Sequence, residues 1–419
     1  MIDFTFPPEV EEVRLKVREF MDTRVRPAWE ATDQDDRGEV VKTIVELRKE
    51  AHDDWGLWLP HMPPEWGGMG LGPTAMAAVS AEASKVSIGP FVINAQAPDE
   101  GNQHTLLHWG TDEQKEKYLK PLCNGTARSC FAMTEPEVAG SDPTLIKTFA
   151  YQDGDEWVIN GRKWFISGAR GAGLRCSSRP HRGRPRDPAG RQLVLHRRPA
   201  VGGWNIVRDV HTMSGGHNHC EILIEDLRVP AENMLGGRGQ GHLLGQYRLG
   251  PARLAHCMRW IGQAEIALDM MVARSMERYS HGSILAEKQG IQWLISDSAV
   301  ELYQCKLMVL HAAYQIEHGH DFTAVVSMAK HFVANSLWRI IDRAIQVHGA
   351  LGYSTDTPLA ACCSRPAGPD SPTAPTRSTR CGSRSADRRL QRRRHHQEGD
   401  RRPAPVERSD DCDRSAMIG

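Results

Sequence analysis

The chain has 419 residues, of which 40% are hydrophobic, and its formal net charge is zero. This length allows two or three packed domains, and the composition excludes a wholly disordered chain. There is no run of about 18 apolar residues, and the start, MIDFTFPPEVEEVRLKV, lacks a basic segment followed by an apolar stretch. We therefore expect a cytoplasmic protein with no secretory signal and no membrane insertion.

The ten cysteines are dispersed along the chain without a CxxC pair, which is typical of reduced cytosolic thiols. One cluster, His217-Asn218-His219-Cys220, combines ligand types that bind zinc. No second ligand pair stands at zinc spacing, so we expect no metal site.

Helical patterns occupy the first third of the chain. Apolar residues recur at helical spacing over residues 10–20, after a Pro-Pro pair, and again over residues 44–51. A further segment, TDEQKEKYLKPLCNG, begins at Thr111 with Gln114 three residues later. This is the capping-box signature of a helix start.

The hydrophobic period changes from about residue 130. The run DGDEWVINGRKWFISGA contains the turn pairs Asp153-Gly154 and Asn160-Gly161 between alternating apolar residues, which predicts a β-hairpin. The segment CEILIEDLRVP, residues 220–230, alternates in the same way. The middle third is therefore predicted to be a β domain.

A helical period returns after the Gly-rich segment LGGRGQGHLLG and continues for about 110 residues. Apolar stripes run through residues 261–271 and 291–302, and a third contains Val325, Met328 and Phe332. Such stripes are typical of core packing. The predicted order is a helical part, a β part and a bundle of long helices, which is an α+β multidomain class.

Two segments differ from the rest in composition. Residues 361–419 contain 13 Arg and no Lys against eight Asp plus Glu, and residues 175–200 contain eight Arg and no Lys. A basic tail can bind nucleic acid. Because no aromatic residue is interleaved and no nucleic-acid-binding motif accompanies the tail, we favour a disordered, solvated segment and expect no nucleic-acid partner.

The loop AMTEPEVAGSD, residues 132–142, is the first candidate for chemistry. It offers the hydroxyls of Thr134 and Ser141, with Gly140 freeing the backbone between them. This combination suits the polar edge of a cofactor and a phosphate. An ordinary surface loop explains the same residues equally well.

Four motifs in order resemble the acyl-CoA dehydrogenases: AMTEPEVAGSD, INGRKWFISGA, RLGPARLAHCMRWIGQAE and AIQVHGALGYS. The resemblance covers about residues 1–173 and 201–360, and is greatest to the branch that includes dehydrogenase modules fused elsewhere to a kinase-like domain. It implies an N-terminal helical domain (1–128), a middle β-barrel or sandwich domain (129–240) and a C-terminal helical bundle (241–360), followed by an aberrant, disordered tail (361–419).

The resemblance also implies non-covalent FAD, an acyl-CoA substrate, a homodimer or tetramer, and an electron-transfer flavoprotein as acceptor. Met133 and Thr134 would contact the flavin pyrimidine edge. Gly140 and Ser141 would contact the pyrophosphate or substrate, and Phe165 and Ser167 would lie behind the isoalloxazine. Substrate contacts would come from Ser141 and Arg253, and contacts to the FAD of the adjacent subunit from Arg278, Ser280, Gln289, Gln346 and Gly349.

Several of these residues have an ordinary structural explanation when taken singly. Arg278 suits a solvated helix charge, Phe165 a strand core, and His348 a helix terminus. The ordered set of motifs favours FAD binding. The sequence departs from the family at His281-Gly282, where Phe-Gly is usual.

In this family a carboxylate removes the α proton of the thioester while the β hydrogen leaves as hydride to the flavin. In the branch named above, that carboxylate stands in a segment resembling aromatic-Ala-Asp-Gly-Pro-Asp-Glu-Val-His, shortly after QVHGALG. No such segment follows Leu359. Other members place a glutamate immediately before the arginine that corresponds to Arg253, where this chain has Ala252.

Reverse translation accounts for the missing segment. Residues 370–379, DSPTAPTRST, written with G or C at most third codon positions and read two bases along, give Phe-Ala-Asp-Gly-Pro-Asp-Glu-Val-His. The printed residue nearest the expected aspartate is Thr373. We therefore hypothesise a frameshift near residue 360, and a second one affecting residues 174–200, so that part of the middle sheet and the final helix are expected to be missing. Resequencing the DNA tests both.

The sequence leaves three functions open. The first is an FAD-dependent acyl-CoA dehydrogenase that is impaired in the printed form. The second is a non-catalytic remnant that binds flavin or acyl-CoA, or a pseudogene product. The third is an oxidase that passes electrons to oxygen.

Overall fold

The computed structural model describes residues 5–142, 145–172, 174–179, 192–197, 202–212 and 219–364. Helices come first, strands follow from residue 129, and helices return at residue 241. The predicted order of a helical part, a β part and a bundle of long helices is confirmed. Among the described residues, no helix is long and apolar enough to cross a bilayer.

The regular elements of the N-terminal part, from residue 5 onward, are all helical. Two π-helical segments, Met21–Val25 and Lys115–Leu119, continue one helix into the next, and a 3₁₀ turn covers Pro64–Trp66. The predicted capping box is confirmed. The Thr111 hydroxyl accepts a hydrogen bond from the Gln114 backbone N–H at 3.2 Å, and the Gln114 side-chain oxygen accepts one from the Thr111 backbone N–H. The helices are α1 Pro8–Phe20, α2 Arg26–Ala31, α3 Arg37–Asp53, α4 Pro73–Ala83, α5 Gly89–Val92, α6 Asp99–Trp109, α7 Asp112–Gln114 and α8 Lys120–Cys123.

The described residues of the middle part form two four-stranded sheets. Their strand orders are β1-β4-β5-β8 and β2-β3-β7-β6, and the β1–β4 pair is parallel while the others are antiparallel. The strands are β1 Ser129–Ala132, β2 Phe149–Asp153, β3 Glu156–Ser167, β4 Leu174–Arg179, β5 Gln192–Arg197, β6 Trp204–Asp209, β7 His219–Pro230 and β8 Met234–Leu235.

The predicted hairpin is present, but only one of its two turn signals forms a turn. Strands β2 and β3 are joined at Gly154-Asp155, directly after Asp153. Asn160-Gly161 lies inside β3, at an irregularity in the pairing with β7, so its prediction as a turn is wrong. A side chain at Gly161 would approach the Thr148 hydroxyl to 2.3 Å, which explains why glycine stands there.

The expectation that part of the middle sheet is missing at residues 174–200 is wrong for residues 174–179 and 192–197. These residues form β4 and β5, which pair from Leu174 with Arg197 to Arg179 with Gln192. Backbone groups make this ladder, so an Arg-rich composition does not prevent it. Leu195 is fully buried in one cluster with Leu235 and Leu244. Residues 180–191 lie outside the described residues, as do residues 198–201 and the tail from residue 365.

The C-terminal part is a bundle of long helices. A short hairpin, β9 Tyr279–Ser280 and β10 Ser283–Ile284, and a 3₁₀ turn at Leu285–Glu287 separate the first two. The first helix begins at Gly241, inside the Gly-rich segment taken from the sequence as a connection. The helices are α9 Gly241–Glu277, α10 Gln289–Glu317, α11 Thr323–His348, α12 Ala350–Tyr353 and α13 Pro358–Ser364.

Two of the three apolar stripes predicted for this bundle face the core. The third is partly wrong, because Met328 is 45% exposed while Val326, Ala329 and Val333 are buried. Apolar residues stand at both 325 and 326 of α11, so the pattern alone does not fix which helix face is inside.

The N-terminal and C-terminal helices share one core. Phe20, Leu302 and Ile341, from three different helices, belong to the same buried cluster. Gly262 of α9 lies so close to α4 that a side chain there would come within 2.0 Å of the Ala81 carbonyl oxygen. This close backbone contact fixes α9, which lines the cavity described below, against α4.

Three buried cysteines are expected to resist alkylation in the folded protein. Burial raises the pKa of Cys123 and Cys257 to about 12 and that of Cys305 to about 11, so their thiolates are scarce at pH 8. Mass-spectrometric mapping after iodoacetamide treatment should find these three unmodified in the folded protein and fully modified in guanidinium. Modification of all three at equal rates in both conditions would contradict this packing.

Candidate functional site

A cavity of about 490 Å³ lies where the middle sheet meets α6, α9 and α11. It is lined by seven of the site residues taken from the sequence, while the remaining five lie elsewhere. The seven are Met133, Thr134, Gly140, Ser141, Phe165, Ser167 and Arg253.

The sheet side of the cavity is formed by a distortion near the end of β3. The pairing of β3 with β7 is interrupted between Lys163 and Ile166. There the Trp164 N–H donates to the Thr134 carbonyl at 3.1 Å, and the Thr134 hydroxyl donates to the Trp164 carbonyl at 2.6 Å. Phe165 has a φ of 53°, a conformation that non-glycine residues rarely adopt. The distortion thus joins β3 to the loop after β1 and places Phe165 in the cavity wall.

A buried ion pair supports this wall. The Lys163 ammonium donates to the Glu135 carboxylate at 2.8 Å and to the Met133 carbonyl at 3.0 Å, and both charged side chains are at most 1% exposed. Glu135 also accepts from the Lys147 and Thr148 backbone N–H groups. Burial alone would raise the pKa of Glu135, but Lys163 and these donors outweigh it and lower the pKa.

Polar groups also stand at the ends of the sheet wall. The Ser167 hydroxyl contacts the Nδ1 atom of His219, a buried residue, at 3.0 Å, and Ser141 is exposed. His217 and Asn218, the other members of the candidate zinc cluster, lie outside the described residues. Within the described residues, no three metal-ligating side chains are grouped.

The helical side of the cavity carries cations that the sequence analysis missed. The Arg248 guanidinium lies 4.2 Å from the ring centre of Phe131, and its Nε donates to Asn102 at 2.7 Å. The Lys330 ammonium lies 3.7 Å from the ring centre of Trp260. Arg248, His256 and Arg259 recur on one face of α9 and line the cavity, and this spacing was the available signal.

Glu100 is the one carboxylate among the described residues that line the cavity. It is buried, and its carboxylate accepts a hydrogen bond from the Arg259 guanidinium at 2.8 Å. Burial opposes its charge, but Arg259 and His61 together lower its pKa, so the group is ionised and paired. Ala252, where a base was sought, lines the same cavity beside Arg253. Thr373 lies outside the described residues.

The remaining five site residues taken from the sequence lie on the C-terminal part, away from this cavity. Arg278 follows the end of α9, Ser280 is in β9, and Gln289 is the first residue of α10. Gln346 and Gly349 mark the end of α11. All but the partly exposed Ser280 are exposed. His281-Gly282, both at positive φ, form the two-residue turn between β9 and β10.

The chain is thus built from a helical part, a β part and a second helical part, with a cavity where the three meet. Three family models match the chain: "Acyl-CoA dehydrogenase, N-terminal domain" over residues 7–126, "middle domain" over 130–227, and "C-terminal domain" over 239–365. The chain belongs to the acyl-CoA dehydrogenase family.

Individual relatives agree with this assignment. "Probable acyl-CoA dehydrogenase FadE2" of Mycobacterium tuberculosis is 39% identical over 373 residues, which are 86% of this chain and 90% of that protein. Human "Acyl-CoA dehydrogenase family member 11" is 34% identical over 84% of this chain, and the match spans only 46% of the human protein. A solved Mycobacterium abscessus structure assigned as an acyl-CoA dehydrogenase has a TM-score of 0.85 and 32% identity over 92% of this chain and 99% of its own.

More distant structures share the fold. A Mycobacterium smegmatis glutaryl-CoA dehydrogenase solved in complex with FADH2 has a TM-score of 0.73 and 20% identity, over 86% of this chain and 89% of its own. Its flavin is a property of that protein, and the likeness to this chain is one of fold.

Proposed function

We propose that the chain is an FAD-dependent acyl-CoA dehydrogenase that desaturates the α,β bond of an acyl-CoA thioester. The observation that carries the proposal is the convergence of seven residues, taken from separate sequence motifs, on one cavity. Their chemistry suits a flavin, since the cavity lining they form includes three hydroxyls, an aromatic ring and a thioether.

The side chains present fit FAD at this cavity. Met133 and Thr134 would hold the flavin edge, Phe165 and Ser167 its face, and Gly140 and Ser141 the pyrophosphate. When bound, FAD supplies the acceptor for the hydrogen that leaves the β carbon. Because the Thr134 hydroxyl hydrogen is donated to Trp164, its oxygen remains available as an acceptor. The ion pair beneath keeps this edge in position.

We also propose that a second copy of the chain completes the cofactor site. Arg278, Gln289 and Gln346 are exposed and lie too far along the C-terminal helices to line the cavity of their own subunit. Large apolar side chains close to them in the chain are exposed as well: Tyr279 of β9 is 65% exposed and Trp293 of α10 is 61% exposed. A dimer or tetramer would cover them. An electron-transfer flavoprotein as acceptor and a cytoplasmic location remain proposals.

Impaired catalysis in the printed form is part of the proposal. The cavity has Ala252 at one position where a base would stand, and its carboxylate, Glu100, is paired with Arg259. A carboxylate with a lowered pKa that is held by a guanidinium is a poor proton acceptor. A non-catalytic remnant that binds flavin or acyl-CoA is the alternative.

The test is anaerobic spectroscopy of the full chain loaded with FAD. We expect a yellow protein whose flavin spectrum shifts on adding acyl-CoA, while bleaching is slow. A chain that binds neither flavin nor acyl-CoA would contradict the proposal. Bleaching followed by peroxide formation in air would instead indicate an oxidase.

Arg278→Ala is expected to weaken FAD binding by about tenfold, the effect of losing one charge-assisted hydrogen bond. Fluorescence of released flavin during dialysis measures the loss. Arg37→Ala, at an exposed arginine of α3, is the matched control and should retain FAD like the parent chain. Equal retention by both variants would place the adjacent-subunit contact elsewhere.

A further inference from the structure

One member of the His-rich segment considered above for zinc lies directly behind the cavity wall. His219 is the first residue of β7 and pairs with Ser167, the last residue of β3. Its Nδ1 atom is 3.0 Å from the Ser167 Oγ atom, and the residue is only 5% exposed. The described residues that line the cavity include Ser167 but not His219. The imidazole thus stands one layer behind the cavity and is connected to it by the Ser167 hydroxyl.

The two strands hold this contact in place. After the distortion of β3, regular pairing with β7 resumes at Ile166 with Cys220, and both of these side chains are buried. On the other edge of β7, the Val210 N–H donates to the His219 carbonyl at 2.7 Å. Because the backbone is fixed on both sides, the Ser167 hydroxyl stays within hydrogen-bonding distance of the imidazole.

The contact decides the hydrogen-bonding role of Ser167. If Nδ1 of His219 carried no hydrogen, it would accept the hydroxyl hydrogen, and the Ser167 oxygen could only accept from a group in the cavity. If Nδ1 carries a hydrogen, it donates to the Ser167 oxygen and leaves the hydroxyl hydrogen for the cavity. The position of the hydrogen on the imidazole ring therefore determines whether Ser167 is a donor or an acceptor toward a bound molecule.

A comparison with Thr134 indicates which role Ser167 has. The Thr134 hydroxyl donates its hydrogen to the Trp164 carbonyl at 2.6 Å, so toward the cavity it can only accept. At the polar edge of an oxidised flavin ring, N3–H is a donor, while N1, N5, O2 and O4 are acceptors. If FAD binds as proposed above, Thr134 suits the N3–H group. Ser167, behind the ring, then meets acceptors, to which it must donate.

We infer that His219 is a positioning residue for the cofactor: its Nδ1–H group donates to the Ser167 oxygen and so makes the Ser167 hydroxyl a hydrogen-bond donor to the flavin. The inference rests on FAD binding as proposed above. Hydrogen bonds to the ring tune the electronic properties of a flavin. A donor stabilises the electron density that the ring gains on reduction, so the His219–Ser167 pair raises the reduction potential of the bound cofactor.

The test is a double-mutant cycle on the full FAD-loaded chain. The readout is the equilibrium reduction potential of the flavin, which requires no acyl-CoA and no turnover. Ser167→Ala removes the donor and should favour the oxidised flavin by about tenfold, which is about 30 mV for a two-electron couple. His219→Phe removes the group that orients the hydroxyl and should shift the potential in the same direction. In the Ser167→Ala background it should cause no further shift, because its effect passes through the hydroxyl.

A conservative variant and a surface control complete the set. His219→Asn keeps a side-chain N–H that can replace the Nδ1–H group and should retain the parent potential. His311→Phe, at an exposed histidine of α10, should retain it as well. Nitrogen NMR of the histidine-labelled parent chain, assigned by the signal lost in His219→Asn, gives the tautomer without any change of fold.

Three results would overturn the inference. The first is an unchanged potential in His219→Phe, and the second is an equal shift in both backgrounds, which is what a purely structural role produces. The third is an Nδ1 atom without a hydrogen in the FAD-loaded parent. A parent chain that binds no FAD would overturn the proposed function itself, and this inference with it.

Discussion

Ala252→Glu is expected to restore rapid, substrate-dependent bleaching of the flavin. Residue 252 lines the cavity beside Arg253, and a glutamate there would supply the unpaired carboxylate that the described lining lacks. Adding a general base typically changes the rate by about 10²–10⁴-fold. Stopped-flow absorbance under anaerobic conditions, with a saturating acyl-CoA, measures the rate of flavin reduction.

The matched control is Ala252→Gln, which has the same shape and no basic group. A second reference is a chain with the reading frame repaired near residue 360, which is expected to bleach at least as fast as Ala252→Glu. If the parent chain and both variants bleach at one common rate, the proposed loss of the base is wrong. In that event Glu100 becomes the group to substitute.

Lys163→Met is expected to lower the stability of the middle sheets by about 3–5 kcal/mol, because it leaves the Glu135 carboxylate buried without its cation. The measurement is urea unfolding monitored at the middle-domain transition. The same substitution frees the Met133 carbonyl, so FAD affinity should also fall.

Two further measurements check that the loss of stability comes from the buried charge pair: the same kind of substitution at a surface ion pair, and the pH dependence of unfolding. Arg24→Gln removes one member of the exposed Arg24–Glu50 pair and should change stability far less. The pKa of Glu135 is lowered in the folded state, so the contribution of the pair is present above the ordinary carboxyl pKa and is lost as the pH falls below it. Lys163→Met should therefore reduce the acid sensitivity of this transition. An unchanged urea midpoint would mean that Glu135 finds another partner.

Features that depend on nearby residues were predictable from the sequence. The capping box at Thr111, the hairpin after Asp153 and the site loop with Thr134 each arise from a few consecutive residues. Features that depend on distant residues were not predictable. Arg259 and Glu100 are 159 positions apart, and nothing in either local pattern shows that they meet in one cavity wall.

Composition misled where backbone pairing decides the structure. The Arg-rich segment around Arg179 was expected to interrupt the sheet, yet β4 and β5 form there through main-chain hydrogen bonds. Asn160-Gly161 has the composition of a turn but lies inside strand β3. Glycine is needed at 161 because Thr148 lies too close to leave room for a side chain. In both cases the tertiary environment outweighed the local signal.

At Phe165, the residue type that would relieve backbone strain differs from the one that the cavity wall needs. A positive φ at a bulky residue is unfavourable by about 1–3 kcal/mol, and glycine at this position would remove that strain. Glycine would also remove the ring from the cavity wall. Substitutions chosen only to raise thermal stability would therefore tend to select against the aromatic side chain here, so position 165 should be held fixed in any effort to make the protein more robust.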